Sequence, residues 1–131
     1  PDMDPARTAR LVQAQLKKNA PWGVKVEFGK TALASWWLTD PSGPAFAAAA
    51  KALTEGFGRK ATFIGTGGSI GFVEPFAKAL GGVPALLIGV EDPYSNPHSE
   101  NESLHLGDFQ KSIRSSILLY DELSRALARR R

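Results

Sequence analysis

A continuous apolar run, PALLIGV at residues 84–90, constrains the fold more than any other feature of the sequence. A strand without polar interruption is typical of a parallel sheet that is covered on both faces. A second short segment of this kind, ATFIG, occupies residues 61–65, and a helical pattern separates the two. Strand, helix and strand at this spacing predict a right-handed crossover in a parallel sheet. The sequence therefore predicts an α/β fold.

Helix signals mark four stretches of the chain. Asp4 followed by Pro5 predicts an N-cap and a first turn, and Pro44 starts a second helix that Gly56 and Gly58 should stop. A third helix is expected after the glycine-rich residues 65–69. A long final helix is expected from Asp108, with an inward face of Phe109, Ile113, Ile117, Tyr120 and Leu127.

The first helix is followed by a different pattern. Apolar and charged residues alternate over residues 24–28, which predicts a strand with one buried face. Residues 29–44 have no period and contain two tryptophans, two prolines and two glycines. We interpret them as a hinge or a crossing between domains.

The sequence GTGGS, residues 65–69, should lie at the carboxyl end of the first predicted parallel strand, where open α/β sheets bind ligands. Glycines expose consecutive backbone N–H groups to a ligand. The helix that follows could direct the free N–H groups of its first turn at the same ligand. A carboxylate or a phosphate would fit. The pattern is not a Walker loop, because no lysine follows. The alternative is a tight turn in which Ser69 only caps a helix.

The sequence HSENE, residues 98–102, lies in a long polar stretch beyond the second predicted strand. A histidine in such a loop could bind a metal or transfer protons. It could equally be exposed or hydrogen-bonded without a function. His105 lies between two leucines, which favours packing and a backbone hydrogen bond.

Composition excludes several classes of protein. The 131 residues contain no cysteine, so disulfides, thiolate zinc sites and cysteine nucleophiles are excluded. The net charge is +3, and much of the positive charge lies at the C-terminus, in Arg125 and residues 129–131. No nucleic-acid-binding motif accompanies these arginines. No apolar run is long enough for a membrane span, and no signal peptide opens the chain. We therefore expect a cytoplasmic protein that binds neither nucleic acid nor membrane.

Three segments together resemble a known family. They are WLTDPSGPAFAAAAKAL, FIGTGGSIGFVEPF and GVPALLIGVEDPYSNPHSENESLHLGDF. They are similar to the C-terminal stretch of the dinuclear zinc aminopeptidase-like hydrolases, which include carnosinases, succinyl-diaminopimelate desuccinylase, acetylornithine deacetylase and glutamate carboxypeptidase. The opening PDMDPARTARLVQAQLKKNAPWGVKVEF resembles the end of the inserted lid, or dimerisation, domain of that family.

The resemblance implies an arrangement of domains. Residues 1–32 would be the C-terminal end of an α+β lid domain, and residues 33–131 part of a three-layer, parallel-sheet metallopeptidase catalytic domain. The lid segment would pair with a second copy and form a homo-oligomer. The chain also opens at Pro1 without an initiator methionine, so we expect it to be a piece of a longer enzyme.

The resemblance also implies a chemistry and a site. The parent enzyme would be a zinc metallopeptidase or deacylase with two zinc ions, which hydrolyses amide bonds of dipeptides or N-acyl amino acids. His98 would be a zinc ligand. Gly67, Gly68 and Ser69 would hold the free carboxylate of the substrate, and Asn101 and Glu102 would keep the histidine loop in shape.

The chain departs from the family pattern in three ways. Gly65 and Thr66 replace the Arg–Glu pair that many relatives have before the glycines, and Gly71 replaces a proline. No counterpart of the family's other zinc ligands or of its general base is present, so no catalytic residue is assigned here. We expect the chain alone to bind zinc weakly and to be inactive. The alternative is a non-catalytic module that binds an anion at GTGGS.

Overall fold

The computed structural model describes residues 2–65 and 70–128. Four α-helices occur in this part of the chain: α1 (Pro5–Lys18), α2 (Pro44–Phe57), α3 (Val73–Ala79) and α4 (Leu106–Ala128). A single 3-10 turn, Pro21–Gly23, follows α1. The four predicted helices are therefore confirmed, and α4 begins two residues before the expected Asp108.

Local signals explain where α1 and α2 begin and end. The side chain of Asp4 accepts a hydrogen bond from the backbone N–H of Arg7, which satisfies one of the free donors at the start of α1. At the end of α2, Gly58 adopts a left-handed conformation with φ of 69° and donates its N–H to Thr54 O at 2.9 Å. A residue with a side chain rarely adopts this conformation, which is why glycine ends the helix.

Small residues form the contact between α2 and α4. A Cβ atom added to Gly56 would lie 1.9 Å from Ser115 Oγ, so the two helices meet closely at this point. Lys51 Nζ lies 2.6 Å from Glu122 Oε1, and Lys111 Nζ lies 5.8 Å from the centre of the Phe57 ring. These pairs show that the helices run antiparallel. The buried residues of α2 are Ala45, Phe46, Ala48, Ala49, Ala52 and Gly56.

The face of α4 that was expected to be buried is exposed. Its large side chains retain 43% to 76% of their accessible surface, and only Ser115 of this helix is buried. The prediction was wrong because α4 contacts α2 through its small side chains, which allow a closer approach than large ones. The exposed residues are Phe109, Ile113, Ile117, Tyr120 and Leu127.

No β-strand occurs in the described residues, and the three segments predicted as strands have no regular structure there. These segments are residues 24–28, 61–65 and 84–90. A strand is defined by hydrogen bonds to a neighbouring strand, and the apolar pattern of a segment does not supply that neighbour. The α/β fold with a parallel sheet stays a prediction.

The chain divides into two compact units, Pro1–Thr39 with Thr66–Val83, and Asp40–Gly65 with Pro84–Arg131. In the first unit, Gln13 Nε2 donates to Thr31 Oγ1 at 3.2 Å, and Lys17 Nζ lies 5.6 Å from the centre of the Phe28 ring. The second unit contains the pair α2 and α4. The boundary expected between residues 32 and 33 stays a prediction. Within residues 2–65 and 70–128, no helix has both the length and the apolar character for crossing a membrane.

Candidate functional site

Gly67, Gly68 and Ser69, which were predicted to hold the substrate's carboxylate, lie outside the described residues. The helix that follows them begins at Val73, and its N-cap residue is Phe72. One interpretation of the sequence made Ser69 an N-cap, and this residue lies outside the described ones. The helix begins later because Ile70 to Phe72 form a turn, in which Ile70 O accepts the N–H of Val73 at 3.0 Å.

His98 lies in an irregular loop between residue 90 and α4. It is exposed and has a φ of 60°, in the left-handed region of backbone conformations. Asn96 and Asn101 are also left-handed, with φ of 52° and 59°. Asparagine and histidine enter this region more readily than most residues, but each residue held there costs about 1–3 kcal/mol. Three of the six residues 96–101 are held in this conformation, so other bonds must stabilise the loop against that cost.

A β-turn fixes the start of this loop. Ser95 N donates to Asp92 O at 3.1 Å, and Pro93 occupies the second position of the turn, where its fixed φ is favourable. Asp92 Oδ1 also accepts the N–H of Tyr94 at 2.7 Å. The loop therefore leaves residue 90 in a defined direction.

Further hydrogen bonds close the loop around His98. Ser103 N donates to Ser95 O at 2.9 Å and joins the two ends. Inside the loop, Asn96 Nδ2 donates to Glu100 O at 2.7 Å. Ser103 Oγ lies at 3.5 Å from Tyr94 O, at the limit of a hydrogen bond. His98 is thus at the outer part of a loop that is held together at its base.

Asn101 and Glu102, which were expected to hold the loop in shape, are both exposed. Within residues 2–65 and 70–128, neither side chain makes a hydrogen bond or an ion pair. The bonds that order the loop come instead from Asp92, Ser95 and Asn96. The sequence Asp-Pro-x-Ser is a typical β-turn signal, and it could have pointed to two of these residues. The role expected for Asn101 and Glu102 stays a prediction.

His105 caps α4 and does not approach a second histidine. Its carbonyl oxygen accepts the N–H groups of Asp108 and Phe109 at 3.1 and 3.0 Å, and its Nδ1 lies 3.1 Å from Asp108 N. The backbone hydrogen bond expected for His105 is therefore present, although its side chain is 60% exposed and not packed. A Cβ atom on Gly107 would lie 3.0 Å from its Cε1, so glycine leaves room for the ring.

A complete metal centre is not formed by the described residues. Zinc in proteins takes about four ligands, mostly histidine, cysteine or carboxylate. No group of three such side chains comes together in residues 2–65 and 70–128. The imidazole of His98 is a suitable single ligand, because it is exposed and carries no hydrogen bond in that part of the chain. The donor set here does not fit a zinc ion by itself.

Comparison with known proteins gives one informative match. The chain is 38% identical over 100 residues to a cysteinylglycine-S-conjugate dipeptidase from Corynebacterium striatum. The match covers 76% of this chain and 22% of the relative, so the chain spans about a fifth of the relative's length. No family model matches the sequence, and no solved structure matches it. The similarity supports the peptidase class.

Proposed function

We propose that this chain is the C-terminal part of a zinc-dependent dipeptidase. The observation that carries the proposal is its 38% identity over 100 residues to the cysteinylglycine-S-conjugate dipeptidase. The chain spans about a fifth of that relative, so in this proposal hydrolysis would require the whole enzyme and not this chain alone. The residues of the HSENE loop and the GTGGS segment are the part of the active site that this chain would supply.

His98 would serve as one ligand in a site for two zinc ions. Its loop supports this role, because the bonds at the base of the loop hold an exposed imidazole in a fixed backbone conformation. Bound zinc supplies a Lewis acid for amide hydrolysis. The other ligands and the general base would come from outside this chain. Asn101 and Glu102 would support the loop when the rest of the site is present.

Gly67, Gly68 and Ser69 would bind the free carboxylate of the substrate through backbone N–H groups and the serine hydroxyl. Gly65 and Thr66 stand directly before them in place of an Arg–Glu pair, so a bidentate arginine–carboxylate pair is missing at this point. The substrates would be dipeptides or N-acyl amino acids. S-conjugates of cysteinylglycine, the class that names the relative, are the first substrates to test.

The remaining parts of the proposal concern the whole protein. Residues 1–32 would belong to a lid domain that pairs with a second copy, and residues 33–131 to an α/β catalytic domain. The enzyme would be cytoplasmic. The described residues 24–36 carry few backbone hydrogen bonds, which leaves their N–H and C=O groups available for pairing with another strand.

A zinc titration tests the site. Calorimetry of this chain should give weak or no binding, because one histidine does not satisfy zinc. In the full-length protein, His98→Ala should remove zinc and abolish dipeptide hydrolysis. His105→Ala is the matched control, since His105 caps α4, and it should retain both zinc and activity.

Three results would contradict the proposal. Hydrolysis by the full-length protein that survives His98→Ala would exclude the assigned ligand. Phosphate binding that survives His98→Ala, but is lost in Ser69→Ala or Gly68→Val, would favour the alternative of a non-catalytic anion-binding module. Tight zinc binding by the chain alone would contradict the incomplete site.

A further inference from the structure

Ser95 is a buried polar residue in a loop whose other residues are mostly exposed. It keeps 2% of its accessible surface, whereas all the residues from Asn96 to Leu104 are exposed. A buried hydroxyl costs free energy unless it is hydrogen-bonded. Ser95 Oγ meets this need by accepting the N–H of Asp92 at 3.0 Å.

Three hydrogen bonds meet at Ser95. Its Oγ accepts the N–H of Asp92, its N–H is donated to Asp92 O at 3.1 Å, and its carbonyl oxygen accepts the N–H of Ser103 at 2.9 Å. The first two bonds fix the segment that enters the loop, and the third fixes the segment that leaves it. Ser95 is therefore the residue at which the two ends of the histidine loop are joined.

The conformation of the loop depends on this junction. Asn96, directly after Ser95, and His98 are both left-handed, which costs free energy at each position. The side chain of Asn96 crosses the loop to Glu100 O, but no bond of that kind reaches the backbone at His98 in the described part of the chain. The bonds at Ser95 join the two ends of the loop, and together with the Asn96–Glu100 bond they hold the backbone around His98.

We propose that Ser95 is a positioning residue for His98. Its buried hydroxyl and its carbonyl group close the loop and present the imidazole in one orientation. The inference rests on the proposed function only in what it assigns to His98, because the closure of the loop is independent of zinc.

The main test is Ser95→Ala in this chain, followed by amide hydrogen exchange and by NMR of the His98 ring. The variant removes the acceptor for Asp92 N–H and keeps the size of a small side chain. We expect exchange at Asp92 and Ser103 to become about fivefold faster or more, with a shift of the His98 ring signals. Ser103→Ala is the matched control, because it keeps the N–H that binds Ser95 O and should change neither measurement.

The second test uses the full-length protein and its zinc affinity. Loss of a residue that orients a metal ligand weakens metal binding by about 10–100-fold. Ser95→Ala should therefore lower the zinc affinity, whereas Ser103→Ala should leave it unchanged. Ser95→Thr keeps the hydroxyl and should restore both the exchange rates and the affinity. The helix content of Ser95→Ala shows whether this variant folds. If it does not fold, Ser95→Cys replaces it in both tests, because its sulfur is a weaker acceptor on a side chain of similar size.

The outcomes separate this inference from the proposed function. Unchanged exchange at Asp92 and Ser103 in Ser95→Ala would overturn the positioning role, whatever the zinc affinity. Unchanged zinc affinity in His98→Ala would overturn the proposed function, while the exchange rates would still decide whether Ser95 closes the loop.

Discussion

Asp108 in the first turn of α4 is the residue whose ionisation bears on helix stability. Its Oδ1 accepts a hydrogen bond from Lys111 Nζ at 2.8 Å, and its Oδ2 lies 3.0 Å from His105 Nδ1. The hydrogen bond from Lys111 lowers the pKa of Asp108; desolvation acts in the opposite direction, and the positive charge of Lys111 adds to the lowering. A carboxylate at this end of a helix is also favoured by the helix dipole.

A lowered pKa gives this group a defined pH dependence. The folded protein binds the proton of Asp108 less readily than the unfolded chain does, so ionised Asp108 stabilises the fold above the ordinary carboxyl pKa of about 4. This contribution is lost as the pH falls through the lowered pKa. Asp108→Asn should therefore reduce the helix content of the protein at neutral pH, and the two proteins should become equal in acid.

Circular dichroism over a pH series measures this difference. Asp121→Asn is a suitable control, because Asp121 lies in the later part of α4 and pairs with Arg125 at 2.7 Å. A difference between wild type and Asp108→Asn that persists unchanged at low pH would mean that the charge of Asp108 is not the cause.

At the scale of elements, the pair α2 and α4 depends on the absence of a side chain at Gly56. A Cβ atom there would lie 1.9 Å from Ser115 Oγ and 2.9 Å from Ser115 Cβ. Gly56→Ala raises helix propensity but forces the helices apart, and overpacking of this kind costs about 1–3 kcal/mol. We expect a lower free energy of unfolding, measured by denaturant titration.

The chain offers a matched control for this change. A Cβ atom on Gly89 meets no atom within 4 Å, and the φ of Gly89 is not in the left-handed region, so Gly89→Ala should leave stability nearly unchanged. Adding Ser115→Ala to Gly56→Ala should recover only part of the lost stability, because the Cβ atom of residue 115 remains close. Equal stability of Gly56→Ala and Gly89→Ala would show that the helices separate there without cost.

Helix ends were predictable from the sequence, because capping is a local property. Asp4 and Gly58 bind backbone groups within four residues along the chain, so their identity is sufficient. The inward face of α4 was not predictable in the same way. Large apolar residues favour burial in general, but small residues decide which face of a helix can approach its partner closely.

The candidate site was predictable to a similar extent. The position of His98 in a long polar loop, and the possibility of a ligand role, followed from the sequence. The bonds that order the loop did not, because the burial of Ser95 and the pairing of Ser95 with Ser103 depend on contacts that no spacing encodes. The GTGGS segment lies outside the described residues, so its role is still a prediction from sequence.

At the scale of the molecule, few large side chains are buried. In the described part of the chain, the buried hydrophobic residues are four alanines, Phe46 and Val73. Large residues on α1 and α4 are exposed, among them Leu11 at 61% and Ile117 at 66%. Exposed apolar surface favours association in water. We expect the chain to self-associate, with a sedimentation coefficient that rises with concentration.

Two variants locate the surface that causes this association. Leu11→Lys lies on α1, in the segment expected to belong to the lid, and Ile117→Lys lies on α4. Pairing through the lid segment predicts that only Leu11→Lys weakens association. A protein that remains monomeric at high concentration would argue against pairing through either surface.

The ion pair between Lys51 and Glu122 joins residues that are 71 positions apart. Each of the two helices can form through hydrogen bonds between residues close in sequence. Their contact, however, requires the two ends of the whole segment between them to come together. The entropy lost in this closure grows only with the logarithm of loop length, so each doubling costs about 0.6 kcal/mol more. Additions to the segment between the two helices should therefore slow their pairing and weaken it only slightly, provided that they lie outside residues 65–69 and the histidine loop.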